Sequence, residues 1–309
     1  MKNVYFNHDG NVDDLVSLLL LLRMPEVNLT GVSVIDADGY LNPAVAASRK
    51  IIDIFGKNKN LTVAASNSRA INQFPTAWRL SSFAFNAFPM LNEFGSQPKT
   101  QLASKPAHLD LIEKVHNNSE KTTLVMTGPL TDLARALEVD PTITAKIDKL
   151  FWMGGTMNNQ GNVFEPEKDG TAEWNAYWDA LAVKTVFASK IAIQMVGLES
   201  TDQVPLNDEF RQHLATNRRY PMVDLIGQGY ALVFSYEANS VYYLWDVLTT
   251  ICSVYQDVVT TKEVQGAVIT TGSGEGRTFE TPTGRPLTLV TNVDGQRFYK
   301  IMDQLMMQM

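Results

Sequence analysis

Short apolar runs alternate with longer amphipathic stretches along most of this chain. Residues 4–6 read as a short buried strand and 12–24 as the helix that follows. Residues 29–35, with β-branched Val32 and Val34, predict a second strand, 43–55 a second helix and 61–65 a third strand. The rhythm returns with strand 122–126, helix 130–137, strand 149–152, helix 177–187 and strand 191–196. Apolar runs of strand length separated by helical periods predict βαβ units, and hence a parallel sheet covered by helices. The stretch 75–106 breaks the rhythm: it is irregular and carries Trp78, Phe83, Phe85 and Phe88, which predicts a mobile flap. Residues 207–246 read as mainly helical, 263–270 and 287–292 as late strands, and a helix ends the chain. There is no internal repeat and no low-complexity linker. The expected fold is α/β, a single domain spanning 1–309, with a mostly parallel central sheet flanked by helices in a Rossmann-related arrangement.

In such sheets ligands sit beyond the carboxyl ends of the strands. That rule points to 7–14, 36–38, 127–130 and 153–162, which hold a large share of the acidic, amide and glycine residues. The first segment, Asn7-His8-Asp9-Gly10-Asn11-Val12-Asp13-Asp14, places three carboxylates and two amides in eight residues. Crowded carboxylates need a cation or hydrogen-bond donors. Oxygen ligands without cysteine suit Ca²⁺ or Mg²⁺ better than zinc. The plainer reading is an acidic cap on the following helix, which accounts for one or two acids but poorly for three. No glutamate stands where an EF-hand needs one.

Later segments add to this. Thr127-Gly128-Pro129 follows a strand and opens a helix, so a backbone carbonyl there is available as a neutral ligand; a plain strand–turn–helix junction is the equal alternative. Gly154-Gly155 permits close backbone approach, and Asn162, Glu173 and Asn175 supply the mixture of donors and acceptors that sugar hydroxyls require. Asn162 in a solvated loop and Asn175 as a helix cap are the alternatives. Trp78 and Trp245, the latter beside Asp246, are candidate platforms for a planar base. Trp152 and Trp178 read as core residues.

Composition narrows the field. With 309 residues, 45% of them hydrophobic, the chain can fill one large core. A net charge of −7 and a pI near 5.2 leave no electrostatic footprint for nucleic acid or an anionic membrane. The lone cysteine, Cys252, lies in an apolar run and excludes a disulfide framework. The apolar run 15–22 is too short to span a bilayer. Strand 4–6 starts too early to leave room for a signal peptide, so a cytoplasmic protein is expected.

Together these pieces resemble the nucleoside hydrolases, and among them the purine-specific inosine–adenosine–guanosine type. The likeness runs along nearly the whole chain. It is carried by His8-Asp9-Gly10-Asn11-Val12-Asp13-Asp14, by 152–155 and 161–164, by Asp169-Gly170-Thr171-Ala172-Glu173-Trp174-Asn175-Ala176-Tyr177-Trp178-Asp179, and by 242–246. The resemblance implies Ca²⁺ held by the carboxylates of Asp9, Asp14 and Asp246 and by the Thr127 carbonyl. Asp9 is then the general base for a water on the calcium, and a purine ribonucleoside is cut to free base and ribose. Asp13, Asn175 and Asp246 would hold the 2′- and 3′-hydroxyls, with Asn11 near the ribose, and Asn162 and Glu173 would hold the 5′-hydroxyl. Trp78 and Trp245 would sandwich the base, and Asp38 would contact it. A homo-oligomer, dimer or tetramer, is implied as well.

Three positions depart from the family pattern. Non-specific members tend to place a histidine where Trp245 stands. Asn7 replaces a usual aspartate, removing a charge near the metal, and Ala77 precedes Trp78 where the purine-specific type can have glutamate. The competing readings are a nucleoside hydrolase of broader, pyrimidine or modified-riboside specificity, a non-catalytic calcium-dependent ribose-binding module, and a Mg²⁺ phosphatase. The last would need a lysine or arginine near the cluster, and the loops flanking Asp9 have none.

Overall fold

Nine strands form one sheet in the order β3-β2-β1-β4-β5-β6-β9-β7-β8 in the computed structural model, which describes residues 1–57, 60–93, 95, 97–233 and 241–308. The strands are β1 Lys2–His8, β2 Val27–Val34, β3 Val63–Ala65, β4 Thr122–Met126, β5 Ile147–Met153, β6 Ile193–Val196, β7 Val259–Val268, β8 Thr278–Glu280 and β9 Arg285–Val293. The first six run parallel, β9 is parallel to β6, and β7 is antiparallel to both β9 and β8. The fold is the expected single-domain α/β arrangement with a mostly parallel central sheet. β7 and β9 correspond to the expected late strands, and β8 is additional: it has three residues, too few for an alternation to stand out.

Alternate residues of each central strand feed opposite layers. Val4, Phe6, Val32, Val34, Phe151 and Val196 enter the larger core, beneath helices that include Val12–Leu21, Leu41–Phe55, Trp245–Cys252 and Gly295–Met306. Tyr5, Leu124, Met126, Leu150, Trp152 and Met195 enter the other, beneath Thr131–Val139 and Ala180–Ala188. Trp152, Trp178 and Cys252 are fully buried, as expected. Among the described residues no helix is long and apolar enough to cross a membrane.

Boundaries shift for local reasons. The first helix ends at Leu21 rather than Met24, because Met24 precedes Pro25 and such residues avoid the helical region. The expected helix 177–187 is two helices, Trp174–Trp178 and Ala180–Ala188. Asp179 breaks them with φ −152° and caps the second by accepting from the Ala182 amide at 2.9 Å. Stretch 75–106 contains three short helices, Thr76–Arg79, Ser81–Asn86 and Pro89–Asn92, rather than irregular chain. They are pinned by the Arg79–Asp36 ion pair at 2.5 Å and by the Lys50 ammonium, which donates to the Asn86 and Asn92 side chains at 2.8 and 2.7 Å. Residues 94 and 96 of that stretch lie outside the described residues, as do 234–240 of the predicted helical region 207–246.

The strand order reverses between β1 and β4: β1 leads on to β2 on one side, while β4 lies against it on the other. Loops leaving two adjacent strands in opposite directions open a crevice at their carboxyl ends. Asp9 follows β1 and Thr127 follows β4, so the acidic loop and the Thr-Gly-Pro turn face each other there.

Candidate active site

Gly10, with φ +86°, turns the chain out of β1, and a Cβ on it would lie 2.3 Å from the Ala44 Cβ. Asn11 then caps the Val12–Leu21 helix: its Oδ1 accepts from the Val12 amide at 2.7 Å and from the Ser81 hydroxyl. Its own amide donates to Asp14 at 2.9 Å, completing a capping box. The plain cap reading is therefore correct for Asn11 and Asp14, without excluding a further use. Asp14 also accepts from the Thr127 hydroxyl at 2.6 Å.

Asp13 turns elsewhere. It accepts from the Tyr230 hydroxyl at 2.6 Å and from the backbone amides of Asp246 and Val247 at 2.7 and 3.3 Å, capping the first turn of the Trp245–Cys252 helix. A carboxylate there is favoured by orphan amides and the helix dipole, and it fixes Asp246 next to the β1 loop.

A cavity of about 360 Å³ opens above these residues. Asp9, Asp38, Asp246, Asn11 and Thr127 form its acidic side, and Asn162, Glu173 and Asn175 a polar side. Trp78 and Trp245 both line it, joined by Phe74, Trp174 and Tyr242. Ten of the twelve residues singled out in the sequence thus meet in one cavity. Asp13 and Asp14 do not line it: Asp13 is held by the Tyr230 hydroxyl and the Asp246 and Val247 amides, and Asp14 by the Asn11 amide and the Thr127 hydroxyl.

Several lining residues were not singled out as ligands. Met153, Trp174 and Tyr242 sit inside the motifs already noted, whereas Phe74 and Ser81 carry no local signal. The aromatic walls are built edge to face, with Trp78 against Trp174 at 5.5 Å and Trp245 against Tyr242 at 4.6 Å.

Glu173, not Asn175, caps the Trp174–Trp178 helix. Its carboxylate accepts from the amides of Gly155, Asn175 and Ala176 at 2.7, 2.9 and 3.1 Å. Burial still pushes its pKa up to about 7. Asn175 donates to the Thr127 and Met153 carbonyls at 3.0 and 3.2 Å, leaving its buried Oδ1 unpartnered. Asn162 is tied to Trp174 twice, through its Oδ1 and its carbonyl, at 3.2 and 3.1 Å.

The acidic side is short of positive charge. Burial, then Asp14 and Asp38, raise the Asp9 pKa well above its ordinary value; burial and its acidic neighbours do the same to Asp246. Burial lifts Asp38 to about 7, against the Asn11 amide, which donates at 2.7 Å, and the Arg79 charge. His8 offers no compensation: burial lowers it to about 4, so its imidazole is neutral, 3.1 Å from the Ser48 hydroxyl. An all-oxygen donor set with surplus negative charge fits a hard divalent cation. Among the described residues, however, no three such side chains already converge on one metal position; they take protein hydrogen bonds instead. The donor set is right in chemistry and not yet closed in geometry.

Asn7 lies outside this cluster. Its amide donates to Ser33 at 2.7 Å and to Asp132 at 3.3 Å, and it does not line the cavity. The lost charge expected near the metal therefore belongs to a separate buried network, in which Asp132 also accepts from Ser66 and Ser68 at 2.7 and 2.8 Å.

The profile described as "Inosine-uridine preferring nucleoside hydrolase" matches residues 4–300. The chain belongs to that family. The membership carries hydrolysis of the N-glycosidic bond of nucleosides as the general activity. A solved structure described as an inosine-uridine preferring nucleoside hydrolase from Bacillus anthracis is 53% identical, with TM-score 0.95 over 99% of both chains. Probable uridine nucleosidase 2 of Arabidopsis thaliana is 25% identical over 90% of this chain and 85% of its own length. The inosine-uridine preferring nucleoside hydrolase of Crithidia fasciculata is 28% identical over 65% of this chain and 62% of its own. A purine-preferring ribonucleoside hydrolase from Gardnerella vaginalis, 22% identical with TM-score 0.81, shares the fold.

Proposed function

We propose that this nucleoside hydrolase is calcium-dependent and prefers purine ribonucleosides. The observation that carries the reading is one cavity with crowded carboxylates on one side and tryptophans on the other, and no histidine among the described residues that line it. Asp9, Asp14 and Asp246 with the Thr127 carbonyl would hold Ca²⁺, which when bound would supply charge to orient the attacking water and the ribose diol.

Asp9 removes a proton from the water as the water oxygen bonds to C1′. The C1′–N bond breaks with its electron pair going to the base. Neighbouring carboxylates stabilise the positive charge that develops at C1′. Asp246 and Asn175 hold the ribose hydroxyls, Asn175 through its unpartnered Oδ1, with Asn11 near the ribose, while Asn162 and Glu173 take the 5′-hydroxyl. Asp13 acts on the diol through Asp246, whose amide it holds.

The departing base must gain a proton. Trp78 and Trp245 stack on it and raise its basicity so that solvent protonates it, with Asp38 beside it. Trp245→Ala is expected to lower kcat/KM for inosine about 10- to 100-fold, given about 1–3 kcal/mol per stacked base. Retained activity and affinity would remove the tryptophans from the mechanism.

A broader specificity is favoured by the names of the relatives, which include uridine as well as inosine. Base release from inosine, guanosine and uridine decides between the two. Purine preference predicts kcat/KM at least about tenfold higher for the purines, a difference of about 1.4 kcal/mol in transition-state binding. Equal turnover of uridine leaves the hydrolase and overturns the preference.

A further inference from the structure

Stretch 154–173 carries Asn162 and Glu173 to the cavity wall yet contains neither helix nor strand. A segment that long without regular structure needs ties to hold side chains in register. Inside it, Gly161 donates to the Gly170 carbonyl at 2.9 Å, and Asn162 and Val163 donate to the Ala172 carbonyl at 2.9 and 3.2 Å. These bonds pair a near arm, 161–163, with a far arm, 170–172. The position of Asn162 therefore depends on what fixes the far arm, together with its two bonds to Trp174.

Among the described residues, apart from the bonds that pair the two arms, the hydrogen bonds and ion pairs that leave 163–171 go to 272–275. Lys168 pairs with Glu275 at 2.9 Å and donates to the Gly272 carbonyl at 3.2 Å, and the Asp169 amide donates to the Ser273 carbonyl at 3.1 Å. The Lys168 ammonium also lies 5.0 Å from the centre of the Tyr177 ring, in the same short helix as Asn175. The two ion-pair partners are 16% and 18% exposed, so solvent screens them less than a surface pair. Glu165, Glu167 and Asp169 surround Lys168 in sequence. Without the lysine, this acidic segment would face Glu275 with like charge.

We propose that the Lys168–Glu275 pair is a positioning strut for the substrate wall, holding the far arm so that Asn162 and Glu173 meet the 5′ end of the ribose. The proposal rests on the 5′-hydroxyl assignment made above. The acidic surroundings make Lys168 the more sensitive partner, since its loss adds repulsion while loss of Glu275 removes only attraction.

Lys168→Met, Glu275→Gln and Lys168→Arg would be compared with the parent enzyme on inosine and 5′-deoxyinosine, with hydrogen exchange followed at the amides of Gly161, Asn162 and Val163. Lys168→Met is expected to raise KM for inosine about 10-fold while leaving 5′-deoxyinosine within about twofold, since misplaced binding groups cost contacts only to substrates that use them. Glu275→Gln should show a smaller effect in the same sense, Lys168→Arg should restore parental values, and exchange at the three amides should quicken in the first two variants. Unchanged exchange at those amides, or equal losses on both substrates, overturns the strut. Should the parent enzyme treat the two substrates alike, the 5′-hydroxyl assignment falls, while the exchange result still decides whether the pair fixes the loop.

Discussion

Replacing Asp9 by asparagine is expected to lower kcat by about 10²–10⁴, the range a positioned general base supplies. Asparagine keeps the size and one oxygen of the side chain but cannot take a proton from water. The surroundings favour this choice of probe. Asp9 is 2% exposed, faces the cavity, and accepts from the Asp38 amide at 3.2 Å, a bond that the asparagine oxygen retains. Stability should move the opposite way in metal-free protein. Burial and the charges of Asp14 and Asp38 oppose ionisation of Asp9, so the neutral residue is expected to raise the metal-free Tm. A variant with full kcat would transfer the base role to another residue. A variant with neither activity nor a raised Tm would point to a damaged fold.

Removing divalent cations with a chelator is expected to abolish base release from inosine, and added Ca²⁺ to restore it. The physical ground is the charge imbalance: Asp9, Asp38 and Asp246 are held above their ordinary pKa by burial and by the charge of Asp14, with Arg79 the cation near Asp38. A ligand that binds only the folded protein stabilises it by about 4 kcal/mol at a thousandfold excess over Kd. For a chain of this size, that corresponds to a Tm raised by about 5–10 °C on adding Ca²⁺. The thermal shift is independent of turnover, so it separates loss of binding from loss of chemistry. Undiminished base release in the chelated protein would sink the calcium assignment.

The two polar networks beside the β1 loop show how far local reading reaches. Asn7 and Asp9 are two residues apart, yet Asn7 bonds Ser33 and Asp132 while Asp9 faces the cavity. Likewise, adjacent Asp13 and Asp14 serve different helices: Asp14 completes the cap of its own, and Asp13 holds the amides of residues more than 200 positions later. Sequence proximity made them one acidic motif. Only their backbone directions separated a cavity residue from a cap and from a tie between helices.

What the sequence determined by itself was whatever repeats at short range. Short apolar runs and helical-period hydrophobicity located most strands and helices, because parallel strands covered on both faces read as continuous apolar runs while helices bury one face. Capping chemistry was legible too, at Asn11 and Asp14, since it needs partners only three residues away. The strand–helix alternation implied a parallel sheet, and the rule that loops at strand ends make sites then picked out the β1, β2, β4 and β5 loops. Trp78 and Trp245, the latter beside Asp246, stood out as platforms for a planar base, and the family motifs assigned them and Asp38 to the same site.

The tertiary structure decided what depends on distant partners. It set the sheet order, which puts the β1 and β4 loops opposite each other, and it added the antiparallel edge. It turned the expected irregular flap into short helices held by Lys50 and Arg79, and it paired Lys168 with Glu275 across 107 positions. No local period encodes such contacts. They follow from which faces pack together once the chain is folded, and that packing is what gathers the acids and the tryptophans around one cavity.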